Sequence, residues 1–128
     1  MSDINEIIAQ SSFELIEGTF IYAKVRSIPS FEVFMITKDK DEITVVAEAN
    51  QIPDLDFVER NKEDYKLIAL NVSIPFYTVG FLAKVSQAIA EGGMNILIVS
   101  TYSKDYIMVK KDVLDKALGI LKRLGFRG

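Results

Sequence analysis

The sequence predicts an α+β fold organised around one strand–helix–strand unit with a hairpin attached, and three observations support this prediction. Residues 67–74 form an apolar run without helical period, which is typical of a buried strand. Residues 78–91 carry apolar side chains at helical spacing, and the apolar runs 95–102 and 105–110 are predicted as strands. Because such crossovers are almost always right-handed, the first two strands should lie parallel in one sheet, with the helix across one face.

The limits of the central helix follow from a few residues. Pro75 cannot donate to a sheet ladder, so it should end the first strand. Thr78 is a suitable N-cap, and Gly92 and Gly93 can supply the turn that ends the helix. Gly80 falls in the first predicted turn, where glycine is unfavourable. One explanation is that a ligand or another backbone approaches closely and requires a residue as small as glycine. The alternative is that a glycine near the helix end is simply tolerated.

The first half of the chain predicts a short helix followed by strands. Residues 3–10 form the helix, with Asp3 as N-cap and Glu6 in the capping-box position. The predicted strands are 13–18, 19–27, 31–37 and 43–48. The polar residues 38–41 predict a hairpin turn. The acidic stretch 50–65 is predicted to be a connection with one helical turn.

The C-terminal part of the chain predicts one more helix. Asp112 can cap it, and Gly125 should end it. Its apolar face consists of Val113, Leu114, Ala117, Leu118, Leu121 and Leu124.

The two predicted hairpins share a sequence pattern. The matching positions are Thr37, Lys40, Asp41, Ile43 and Val45 with Thr101, Lys104, Asp105, Ile107 and Val109, each pair 64 residues apart. A second match, 27–29 with 73–75, is 46 residues apart, and the difference of 18 is about the length of the helix plus its turn. The sequence thus predicts two halves, 1–64 and 65–128, of which the first lacks the crossover helix; chance matching is the alternative.

Composition excludes several classes of function. The chain has 15 basic and 18 acidic residues, a net charge of −3, and no basic stretch that would favour nucleic acid. It has no cysteine and no histidine, which argues against disulfides, thiolate or zinc sites and Ser–His catalysis. We therefore expect no cofactor, no metal and no catalytic role. The N-terminus resembles no signal peptide and no apolar run is long enough for a membrane span, so we expect a cytoplasmic protein.

The strand 95–102 carries apolar residues on both faces. Leu97 and Val99 alternate with Ile96 and Ile98. One helix layer covers only one face of a sheet, so the other face or an edge should meet the other half of the chain or a second copy. The alternative is a strand that is buried entirely within one copy.

No catalytic constellation is visible among the polar residues. Asp41 and Asp105 lie at matching hairpins, where local hydrogen bonding is the usual role of aspartate; for Asp105 a ligand contact is a second possibility. Ser100 has no histidine to activate it, and a hydroxyl on a strand is usually a plain sheet residue. Asn95, at the start of the second strand, could reach the crevice beside the helix N-terminus.

The stretch 75–125, PFYTVGFLAKVSQAIAEGGMNILIVSTYSKDYIMVKKDVLDKALGILKRLG, resembles an ACT domain. With the opening DINEIIAQSSFELIEGTFIYAKV and the middle DEITVV, the whole chain resembles a small free-standing family with two tandem ACT-like halves. The resemblance implies a ferredoxin-like fold of the βαββαβ type, with antiparallel sheets and helices on one face. It also implies regulatory binding of an amino acid or a similar small effector at a domain or subunit interface.

The same resemblance implies where such an effector binds. ACT ligands usually contact the strand-to-helix loop, the start of the next strand and, in related tandem sensors, an acidic residue of the hairpin. Carried onto this sequence, these positions are Phe76, Tyr77, Thr78, Val79, Gly80, Asn95, Ile96 and Asp105. Backbone N–H groups at 78–80 would hold a carboxylate, while Asn95 and Asp105 would orient the amino group.

These expectations combine into a non-catalytic regulatory module that forms a homodimer and contacts neither nucleic acid nor membrane. The alternative is a structural module that homodimerises or docks on a partner enzyme without any ligand. A small enzyme on the same fold is the third hypothesis, and the absence of histidine, cysteine and a convergent acid–base pair argues against it.

Overall fold

The computed structural model describes residues 3–72 and 79–128, and the chain divides into two units. The long unit comprises Met1–Glu17 and Lys66–Gly128, and the short unit comprises Gly18–Tyr65. The strands are β1 (Ser12–Leu15), β2 (Phe20–Val25), β3 (Met35–Lys38), β4 (Ile43–Glu48), β5 (Phe57–Arg60), β6 (Tyr65–Asn71), β7 (Leu97–Ser100) and β8 (Asp105–Lys110). The helices are α1 (Ile4–Ala9), α2 (Phe81–Glu91) and α3 (Leu114–Leu124), with 3₁₀ helices at Ala49–Asp54 and Lys111–Val113.

The sheet of the long unit has the order β7-β8-β6-β1. Helix α2 joins β6 to β7, and β8 lies between these two strands, so the predicted strand–helix–strand unit is present in split form. On the other side of β6, β1 pairs with it in antiparallel orientation. Residue Ser12 of β1 also bridges to Arg127. Residues near the N-terminus therefore pack with the C-terminal part of the chain, and the predicted division at residues 64 and 65 stays a prediction.

The helices of the long unit cover one face of its sheet with a continuous apolar core. Its fully buried members are Ile8, Ile68, Leu70, Val85, Ile89, Ile107, Val109, Ala117 and Leu121. On the other face, the side chains of Leu67, Ala69 and Met108 are also fully buried. The prediction of two apolar faces was made for the strand 95–102. In β7, Leu97 and Val99 are half-buried and Ile98 is exposed, so this strand is not buried entirely within one copy.

The short unit repeats the strand order of the long unit. Its order is β3-β4-β2-β5, and these pairs are antiparallel. Its core comprises Ile21, Ala23, Val25, Val45, Ala47 and Leu55. No helix joins β2 to β3; instead Phe31 and Val33 of this connection pack against the core.

The two hairpins have the same hydrogen-bond register at an offset of 62 residues. Ile36 pairs with Val45 and Ile98 pairs with Ile107. The turns agree in the same way, since one backbone N–H bond links residues 39 and 42 and another links 101 and 104. The offset of 64 from matched residue identities is therefore wrong by two positions. Because side chains alternate along a strand, a shift of two still assigns each residue to the right face.

Several element boundaries differ from the predicted ones. Helix α1 follows Asp3, but the side chain of Asp3 makes no capping hydrogen bond. Asp112 lies in the 3₁₀ helix, and Val113 takes the N-cap position of α3. The predicted connection 50–65 contains β5, whose pairing with β2 is a long-range contact that local sequence does not reveal. Gly125 does end α3, in the left-handed region.

Replacing Gly119 by alanine should stabilise the long unit by about 0.5–1 kcal/mol. Gly119 lies inside α3, and a Cβ there would meet only a guanidinium nitrogen of Arg123, at 3.9 Å. Gly125→Ala is the matched control, because its φ of +117° should make the same substitution unfavourable. Urea unfolding measures the free energy of unfolding of both variants. A loss of stability on Gly119→Ala would show that α3 has no room for a methyl group at this position.

Candidate functional site

The N-terminus of α2 begins with a glycine in an unusual backbone conformation. Gly80 is the N-cap residue, with φ of +84°, and the helix starts at Phe81. Gly80 therefore precedes the first turn instead of lying within it. A Cβ at Gly80 would meet nothing within 4 Å, so within the described residues crowding does not explain the glycine. The left-handed φ of Gly80 explains the glycine, because residues with a side chain rarely adopt this backbone conformation.

Three of the predicted ligand-contacting residues, Phe76, Tyr77 and Thr78, lie outside the described residues, as does the predicted strand end at Pro75. Val79, the next predicted contact, has a relative exposure of 94%. An apolar side chain this accessible beside a helix N-terminus is available to a ligand or to another copy.

The hairpin between β7 and β8 holds Asp105 in a fixed position. The hydroxyl of Ser100 donates to the Oδ1 atom of Asp105 at 2.5 Å, and these two residues are directly paired across the strands. The N–H group of Thr101 closes the turn on the carbonyl of Lys104. Ser100, interpreted from sequence as a plain sheet residue, is thus the residue that orients the predicted ligand contact.

The corresponding residues of the short unit differ. At the offset of 62, Lys38 and Ile43 pair where Ser100 and Asp105 pair in the long unit. In that turn the backbone N–H groups of Asp41 and Glu42 donate to the carboxylate of Asp39 and lower its pKa. Asp41 takes part in local hydrogen bonding, as the sequence predicted.

Asn95 and Ile96 precede β7. Asn95 is exposed, and its side-chain oxygen accepts a hydrogen bond from the N–H of Ile96 at 3.0 Å. Ile96 is half-buried and packs against the helix-side core. The amide nitrogen of Asn95 faces no protein acceptor among the described residues, so it can donate to a ligand.

The topology brings some of the predicted residues to the same end of the sheet and separates others. Helix α2 has 11 residues and is about 16 Å long, so Gly80 and Asn95 lie at opposite ends of it. Strand β7 then returns along the sheet, so Ser100 and Asp105 come back toward the end at which α2 begins. Within one long unit, Asn95 therefore does not share a crevice with Gly80, whereas Asp105 lies toward the same end.

Other parts of the surface offer less chemistry. A polar depression of about 280 Å³ in the short unit includes Lys24 and Arg60, but these cations already pair with Glu42 and Asp64. Across the described ranges, no group of three or more acidic side chains is arranged to hold a metal ion. No helix in residues 3–72 or 79–128 is both long and apolar enough to cross a membrane.

The long unit, with its split strand–helix–strand unit and a second helix on the same face, has a ferredoxin-like α+β fold. Residues 61–123 match the family model of the ACT domain, so this chain carries an ACT domain over that range. The resemblance seen in the sequence is confirmed there. No curated protein matches the sequence.

Solved structures share the fold at low sequence identity. A protein of unknown function from Vibrio cholerae, described as a possible transport protein, is 23% identical, with 95% of each chain covered and a TM-score of 0.81. A protein from Agrobacterium tumefaciens is 22% identical over 91% of this chain and 90% of that one, with a TM-score of 0.70. The regulatory subunit of aspartate kinase from Thermus flavus is 14% identical over 88% and 96%, with a TM-score of 0.67.

Proposed function

We propose that this protein is a non-catalytic regulatory module that binds a small effector, in particular an amino acid, at an interface between two copies. The ACT domain at residues 61–123 and the fold shared with aspartate kinase regulatory subunits support a regulatory role. The observation that carries the ligand site is the carboxylate of Asp105, held in place by Ser100 toward the N-terminal end of α2. The cytoplasmic location and the absence of a cofactor remain part of this proposal.

The edge strand β7 is the proposed contact between the two copies. In the part of the chain that the structure describes, β7 pairs with β8 and lies at the end of the strand order. Its sequence, Leu-Ile-Val-Ser, contains neither a charge nor a proline, the devices that normally protect an exposed edge. Ile98 has a relative exposure of 37%. Such an edge favours pairing with a second strand.

Pairing of two β7 strands would also complete the ligand site. If β7 pairs in antiparallel orientation with β7 of a second copy, the start of one strand lies beside the end of the other. Asn95 of one copy then approaches the end of the sheet where Asp105 and Gly80 of the other copy lie. A site that is divided within one long unit thus becomes a single site across a two-fold axis.

The ligand chemistry follows from the groups that would meet there. The backbone N–H groups and the positive dipole end at the N-terminus of α2 suit the carboxylate of an amino acid. Asp105 would accept from the ammonium group, and Asn95 of the other copy would add a polar contact. Ile96 and Val79 would supply apolar contacts to the side chain.

Thermal unfolding with each of the twenty amino acids tests this proposal. An effector at one hundred times its Kd should stabilise the protein by about 2.7 kcal/mol and raise the Tm. Asp105→Asn removes an acceptor for a charged group and should weaken binding by about tenfold or more. Asp41→Asn is the matched control, because it makes the same charge change in the other hairpin and should leave binding unchanged.

The outcome also separates the two candidate functions. If no amino acid at millimolar concentration raises the Tm, the protein is better described as a structural module that dimerises or docks on a partner enzyme. Gly80→Val is unsuitable for this choice, because a valine at φ of +84° strains the backbone whether or not a ligand binds.

A further inference from the structure

We propose that the helix face of the long unit is a second surface of self-association, on which two copies dock so that Glu91 of each pairs with Arg123 of the other. A groove of about 290 Å³ lies between α2 and α3. Its floor is apolar, with Ala88, Ile120 and Leu124, while Glu91 and Arg123 belong to the two different helices that form it.

The two charged side chains of this groove have little to bind within one copy. Arg123 is exposed, and among the described residues no carboxylate or carbonyl accepts from its guanidinium group. Glu91 accepts one hydrogen bond, from the neutral amide of Gln87 at 3.1 Å. No ion pair joins Glu91 to Arg123 within the described chain. One acidic and one basic group are therefore available to a partner.

A second copy of this chain has the matching charges. In a two-fold interface, a contact from residue i to residue j is repeated from j to i. A groove with an acid on one helix and a guanidinium on the other is therefore complementary to a rotated copy of itself. The aliphatic part of Arg123 would lie over the apolar floor of the partner groove, on Ile120 and Leu124, and its charge would reach the partner's Glu91.

This surface is separate from the proposed β7 contact. The helices cover one face of the sheet of the long unit, whereas β7 forms an edge of that sheet. Both contacts can exist in one assembly. Two kinds of two-fold contact on one chain produce a tetramer when their axes intersect at right angles, a common symmetric arrangement.

Charge reversal tests the pairing. By light scattering after gel filtration, Arg123→Glu and Glu91→Arg should each halve the molar mass of the wild-type assembly, because each places like charges together twice. The contact should weaken by about tenfold or more in each case. The double variant Glu91→Arg/Arg123→Glu restores opposite charges and should recover the wild-type mass.

Lys122→Glu is the matched control, since it makes the same charge change beside Arg123 on the exposed part of α3 and should leave the mass unchanged. An unchanged mass for Arg123→Glu, or no recovery in the double variant, overturns the pairing. If instead Arg123→Glu abolishes the effect of an amino acid on the Tm while the mass stays the same, the groove is a ligand site and this inference is wrong. An effector response that persists in Arg123→Glu leaves the proposed function intact.

Discussion

Replacing Ile107 by alanine is expected to lower the free energy of unfolding by about 3 kcal/mol, within a range of about 2–5 kcal/mol. Ile107 is fully buried on β8, which lies between two other strands of the long unit, and it belongs to the helix-side core. The substitution removes apolar contacts and leaves a cavity that helices and sheet cannot easily fill. Urea unfolding measures the loss.

Two substitutions serve as controls for this value. Ile98→Ala affects the residue paired with Ile107 across the hairpin, but its side chain is partly exposed and should cost less. Val45→Ala affects the equivalent position of the short unit, also fully buried, and removes fewer atoms than Ile107→Ala. If all three cost the same, the helix-side core is not what makes Ile107 important.

The sequence predicted the elements that local pattern determines. The bounds of β4 and β8 agree with the predicted 43–48 and 105–110, because short apolar runs there follow polar turns. Strand β5 was missed because its Phe-Val-Glu-Arg segment is short and becomes a strand only by pairing with β2. Residues far apart in the chain decide such an element.

The repeat was found by residue identity, yet the structure defines it by hydrogen-bond register. The burial of β4 and β8 follows the same order, residue by residue, when they are aligned at an offset of 62. Threonine, lysine and aspartate near a turn recur for chemical reasons that do not depend on register. Matching these residue types therefore indicated that the hairpins repeat, but it gave an offset two residues longer than the offset of the hydrogen-bond register.

Prediction of the candidate site was limited by topology. Spacing alone suggested that Asn95 reaches the crevice before α2, but a helix of 11 residues carries the chain to the other end of the sheet. The role of Ser100 could not be predicted, because its contact with Asp105 depends on the cross-strand register. In the proposed assembly, a second copy would restore Asn95 to the site, and the assembly would then be part of the ligand chemistry.

Ile98→Lys is expected to separate the two copies at β7 and to abolish effector binding together with that contact. A lysine on this edge places a charge where the two strands would pair, and like charges would face each other across the two-fold axis. The molar mass of the wild-type assembly should be halved, and no amino acid should raise the Tm any longer. Light scattering and thermal unfolding measure both effects on one sample.

The short unit supplies a matched control for this variant. Ile36 is the equivalent residue of β3, it has a relative exposure of 39%, and Ile36→Lys should leave both mass and effector response unchanged. Asp105→Asn should lower the effector response without changing the mass, and Arg123→Glu should do the reverse. A normal effector response in a mass-halved Ile98→Lys protein would mean that one copy holds the whole ligand site, because Asn95 of the partner would then be unnecessary.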